Sequence, residues 1–161
     1  GYAAIGRVLE NAHYYALADT VVVIDGLHAD FIDGRPDESR IAIFERFARD
    51  AAAGDKTMVV VHSAIIPPTF ASSTQMAALL CAAVPVERVR EERTNASGMV
   101  EWYHAEKGGL HVRGFRGDGP KDHLDQVHIL DDLVRTYLTP RWTHLDLEGR
   151  RRHSAATAAA E

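Results

Sequence analysis

Apolar positions along this chain fall into two kinds of run. In "YAAIGRVLENAHYYAL" (2–17) Ile5, Val8, Leu9 and Ala12 recur at helical spacing, which predicts a single opening helix. "TVVVIDG" (20–26) is instead continuous and β-branched, the pattern of a strand covered on both faces as in a parallel sheet. "KTMVVVHSAII" (56–66) repeats that pattern and is stopped by Pro67-Pro68. Between the two, a polar loop over 30–38 leads into "ESRIAIFERFARDAAAG", a second helix with Gly54 suited to end it. "SSTQMAALLCAAV" predicts a third helix, in which Ser72 and Gln75 have the spacing of a capping box.

Further on, "VERVREE" (86–92) alternates like a short strand, and "GMVEWYHAEKGGLHVRGF" (98–115) reads as a hairpin turning at Lys107-Gly108-Gly109. A last helix is predicted over about 122–138, with Leu124, Val127, Leu130, Leu133, Val134 and Leu138 on its apolar face. From Thr139 the composition turns to Arg and then Ala, and 139–161 is expected to be a poorly ordered tail. Helices alternating with apolar strands predict an α/β domain over 1–138: three layers, a mostly parallel sheet with helices on both faces. In such sheets chemistry gathers at the carboxyl ends of the strands.

Those ends carry the candidate residues. Asp25 closes the first strand and His28 follows it; His62 and Ser63 close the second; His123 stands in "RGDGPKDHLDQVHIL" (116–130), after the hairpin. A carboxylate that orients an imidazole is the working half of a nucleophile–His–acid triad, and Asp25 with His123 has the right types and plausible placement. His28, His62 and Ser63 are expected to line a substrate pocket. Ser63 lacks the flanking glycines of a nucleophile elbow, and no G-x-S-x-G occurs in the chain. Asp122 and Asp125 flank His123 but sit within its own helical turn, from where a carboxylate struggles to reach round to the ring.

The order of parts resembles the C-terminal half of an α/β-hydrolase, beginning just after the nucleophile elbow. "GYAAIGRVLENAHYYA" looks like the end of an elbow and its helix, "VVVIDGLHADF" and "TMVVVHSAII" like the next two strands, and "GLHVRGFRGDGPKDHLDQVHILDDLV" like the last strand, histidine loop and final helix. The resemblance implies His123 as general base, Asp25 as acid, and a nucleophilic serine upstream of Gly1. In many members the acid follows the later strand; here that place holds Ser63, so the earlier-strand variant is implied. The implied activity is hydrolysis of an ester or amide bond in a small acyl substrate, without a cofactor. The chain is then a piece of something longer, inactive by itself, and prone to self-association through an exposed sheet edge. On this reading the short helix after His123 anchors its loop by burying Leu124 and Val127.

Composition narrows the rest. Lys and Arg number 18 against 23 Asp and Glu, a net charge of −5, so no general grip on nucleic acid is expected, Arg150-Arg151-Arg152 notwithstanding. No apolar run approaches the ~20 residues that span a bilayer, so no membrane partner is expected, and the expected compartment is the cytoplasm. The lone Cys81 reads as a buried, inert thiol. Two other readings compete with the hydrolase. Asp25, His28, His62 and His123 would be the ligands of a metal-dependent hydrolase, although no H-E-x-x-H spacing occurs. A non-catalytic α/β binding module is the other, since no complete catalytic motif lies within the chain.

Overall fold

The computed structural model describes residues 1–158, with side chains to 149, in two compact units, the second beginning at Leu130. The first unit is mixed α/β. Its five-stranded sheet runs β1 (Thr20–Ile24), β4 (Thr57–His62), β8 (Leu110–Phe115), β7 (Val100–Lys107), β6 (Arg93–Thr94). β1, β4 and β8 are parallel, while the β7–β8 hairpin and β6 add antiparallel pairs. The sheet is therefore mixed rather than mostly parallel: the β7–β8 hairpin supplies one antiparallel pairing and β6 against β7 a second, two of the four in the sheet. β1 forms one edge.

Every residue of β4 is buried, as its unbroken apolar run requires of a central strand. Met58 and Val60 join one core cluster with Phe44 and Phe47 of α3 (Ala42–Ala53) and Leu80 of α4 (Ser73–Ala83). Gly54 ends α3 in the left-handed region, and Ser72 and Gln75 form the expected capping box on α4. Cys81 is buried in that core, and burial pushes its thiol pKa up, in keeping with an inert side chain.

Several expectations are corrected. The opening helix is two, α1 (Tyr2–Glu10) and α2 (Ala12–Leu17), because Asn11 leaves helical geometry and its side chain accepts from the amides of His13 and Tyr14. The polar loop at 30–38 contributes to a small second sheet of β2 (Ala29–Ile32), β3 (Arg35–Pro36) and β5 (Phe70–Ala71). "VERVREE" forms no strand; only Val89 bridges to His104.

The segment after the hairpin is not one helix. α5 (Pro120–Asp125) passes into a 3₁₀ turn over Gln126–Ile129, which closes the first unit. Leu124 and Val127 are exposed, so they do not anchor the histidine loop. Tightening to three residues per turn rotates the buried face onto Gln126 and Ile129. In the second unit, α6 (Leu130–Leu133) and a π-helical stretch over Val134–Leu138 lead into α7 (Thr139–Ala158), which takes up most of the 139–161 tail. Residues 159–161 of that tail lie outside the described residues. Among the described residues no helix is long and apolar enough to cross a membrane.

Candidate active site

Three parallel strands deliver their carboxyl ends to one edge of the sheet. Ile24 pairs with Val61 and His62 with Gly114, and the ladder extends one step further, from the Asp25 amide to the Val61 carbonyl. Asp25 thus begins just where β1 stops. It turns there with φ 43°, a left-handed conformation that Asp tolerates better than most residues. Such strain persists only where the surroundings impose it, and it concentrates at functional sites.

The surroundings are visible. The buried Asp25 carboxylate accepts from Ser63 twice, from the backbone N–H (3.1 Å to Oδ1) and from the hydroxyl (2.7 Å to Oδ2). Its Oδ2 lies 2.9 Å from His123 Nδ1, across 98 residues of sequence. A carboxylate can only accept, so Nδ1 carries the proton and Nε2 is left as the basic nitrogen. No described group bonds Nε2, and the His123 side chain is half exposed.

His123 reaches this place through a short, tightly tied loop. The Gly117 carbonyl accepts from the Ala64 amide, which links the loop to the end of β4. Pro120 starts α5, and the Asp122 carboxylate reaches back to the Gly119 amide (2.9 Å). Asp125 pairs with Lys121. Both neighbouring carboxylates are therefore committed elsewhere, and Asp25 is the one that meets the ring.

Of the residues expected to line a substrate pocket, His28 borders a cavity. It shares with Asp25 and His123 a cavity of about 530 Å³, whose apolar walls include Ile65, Pro67, Phe70 and Leu124. His62 and Ser63 lie behind that cavity, almost wholly buried. His62 Nδ1 meets the Ser63 carbonyl at 2.7 Å, which again makes Nδ1 the protonated nitrogen. The Tyr103 hydroxyl then donates to His62 Nε2 at 2.6 Å. The Ser63 carbonyl also accepts from Thr74 Oγ1 at 2.9 Å. A buried polar chain thus runs from Tyr103 through His62 and Ser63 to Asp25 and ends on His123. Ser63 holds the Asp25 carboxylate; that contact was invisible in the sequence, because nothing local says which carboxylate a serine will meet.

No family model, curated protein or solved structure matches this chain. The site therefore has to be read from its own geometry. Among the described residues, no group of three or more His, Cys, Asp or Glu is arranged to hold a metal ion. His62, one of the four ligands of the metal reading, has both ring nitrogens committed to protein groups.

Burial lowers the pKa of His62, and likewise of His28 and His111, so all three favour the neutral form in the fold. The unfolded chain protonates its histidines near 6.5. Stability is therefore fully present above that value and falls as the pH drops below it, because the unfolded state then binds protons that the folded state refuses. Each such histidine sets a slope of at most about 1.4 kcal/mol per pH unit. Urea unfolding at pH 7.5 and 5.5, above the range where most carboxylates titrate, should give the lower midpoint at 5.5. Equal midpoints would contradict the buried neutral His62.

Proposed function

We propose that the Asp25–His123 pair is the acid and base of an α/β-hydrolase of the serine type, acting on an ester or amide bond, in a three-layer arrangement whose nucleophile precedes Gly1. The observation that carries this is the 2.9 Å contact between Asp25 Oδ2 and His123 Nδ1 at a shared strand-end edge. A second fact agrees: a Cβ placed on Gly1 would lie 4.0 Å from the Gly26 carbonyl, so the start of α1 adjoins the residue after Asp25. A serine on the elbow before Gly1 would then sit beside the pair.

The chemistry follows from the tautomer. His123 Nε2 takes the proton of the serine hydroxyl as its oxygen attacks the acyl carbon. The imidazolium, stabilised by Asp25, returns that proton to the departing alcohol or amine. Water repeats the sequence on the acyl-enzyme, releasing the carboxylic acid and restoring the serine.

A non-catalytic binding module remains the second reading. It is favoured by one observation: the hydroxyl beside the acid, on Ser63, is engaged to Asp25 and does not serve His123. Fluorophosphonate labelling separates the two when applied to the full natural protein containing this chain. The hydrolase reading expects a labelled serine within a few residues before Gly1, and loss of labelling in His123→Ala. Absence of any labelled serine there, or ester turnover that survives His123→Ala, would overturn it.

A further inference from the structure

Three hydroxyls stand at the start of α4, and two of them are occupied. Ser72 Oγ accepts from the Gln75 amide in the capping box, and Thr74 Oγ1 donates to the Ser63 carbonyl. Ser73 is 3% exposed, its Oγ is buried, and it bonds nothing. His28 Nδ1 is likewise buried without a partner. Both residues line the same 530 Å³ cavity beside Asp25 and His123. Buried polar atoms are nearly always bonded, so two orphans on one cavity wall call for an occupant that bonds them.

The chemistry of the occupant can be read from its partners. The His28 ring is braced edge-on by Phe70 and by Tyr2, with centroids at 5.0 and 6.0 Å. Burial lowers its pKa, which favours the neutral ring. A neutral imidazole nitrogen either donates or accepts a hydrogen bond, according to the tautomer. Ser73 Oγ can donate. A ligand hydroxyl, which gives a hydrogen to one and accepts from the other, satisfies both. A carboxylate can only accept, and its charge would face Asp25 and Asp118 on the same walls.

We propose that His28 and Ser73 form a subsite for a neutral hydroxyl group carried on an otherwise apolar part of a ligand. As a statement about substrate it rests on the hydrolase reading, and assigns that enzyme a hydroxylated apolar substrate; as a binding site it stands independently.

The test uses benzyl alcohol and toluene, a pair differing by one hydroxyl, titrated against the protein with NMR detection of the His28 ring. Benzyl alcohol should bind and shift the His28 Nδ1 resonance. Ser73→Ala and His28→Phe should each weaken benzyl alcohol roughly fivefold and change toluene by less than about twofold, the effect of one neutral hydrogen bond. If benzyl alcohol does not bind, or if folded Ser73→Ala weakens both ligands alike or neither, the subsite holds only water and the proposal is overturned. Because no turnover is needed, these affinities report on the subsite alone, and fluorophosphonate labelling reports separately on the hydrolase.

Discussion

In the proposed hydrolase, Asp25→Asn should lower the rate of acyl transfer by about four orders of magnitude while leaving the fold close to intact. The reason lies in a count of donors. The carboxylate receives three: the Ser63 amide on Oδ1, and the Ser63 hydroxyl and His123 Nδ1 on Oδ2. An asparagine has one oxygen, so its NH₂ group must face one of these sides. Facing the Ser63 backbone it would oppose an N–H that cannot become an acceptor. Facing the other side, it meets a hydroxyl that can rotate to accept and an imidazole that can move its proton. The second orientation wins, and His123 shifts to the Nε2–H tautomer, which has no lone pair for the nucleophile. Asn also tolerates the left-handed backbone at this position, so stability is largely kept. Two measurements check this: ester turnover in the full natural protein, and the ring ¹⁵N shifts of His123 in the chain itself. An unchanged tautomer would remove the physical basis of the prediction, and an unchanged rate would remove Asp25 from the mechanism.

The Asp25–His123 pair could be found in the sequence because strand ends in a parallel arrangement are chemically informative. The runs before Asp25 and Ser63 are apolar and β-branched, the pattern of neighbouring strands in a parallel arrangement, and the two do pair, β1 at the sheet edge beside the fully buried β4, so their ends meet. What the sequence hid has a common cause, namely that the decisive partner is distant or the element too short to have a period. β2, β3 and β5 span four, two and two residues, and no alternation can be read in so few. Ser63 and His62 read as a pocket wall, yet their partners, Asp25 and Tyr103, are 38 and 41 residues away. The apolar residues Leu124 and Val127 do have helical spacing, but the change to a 3₁₀ turn at Gln126 turns them outward. A periodicity argument assumes one helix type throughout, and here that assumption failed at the loop that matters.

The hairpin at Lys107-Gly108-Gly109 was legible as a turn, but not as a joint, and Gly109→Ala should expose the difference. Gly109 donates its amide to the Ala51 carbonyl at the end of α3 (2.7 Å), and its own carbonyl accepts from Met58 at the start of β4 (2.8 Å). A Cβ there would lie 2.1 Å from the Lys56 carbonyl oxygen. That obstacle is backbone, so no side chain can swing aside; relief requires β8 to move against β4, whose register pairs Met58 with Leu110. The expected cost is about 3 kcal/mol or more, a fall in Tm of roughly 6–12 °C for a chain of this size. Gly34→Ala shows the cost of backbone strain alone, for Gly34, unlike Gly109, has positive φ (76°) and nothing within 4 Å of the added carbon. It should lose only about 1–2 kcal/mol. Equal losses at the two positions would show that the docked turn is not what constrains Gly109. Because β8 also carries the loop that holds His123, a shifted β8 should stretch the 2.9 Å contact with Asp25, and the His123 ring ¹⁵N shifts of folded Gly109→Ala should move towards those of Asp25→Asn.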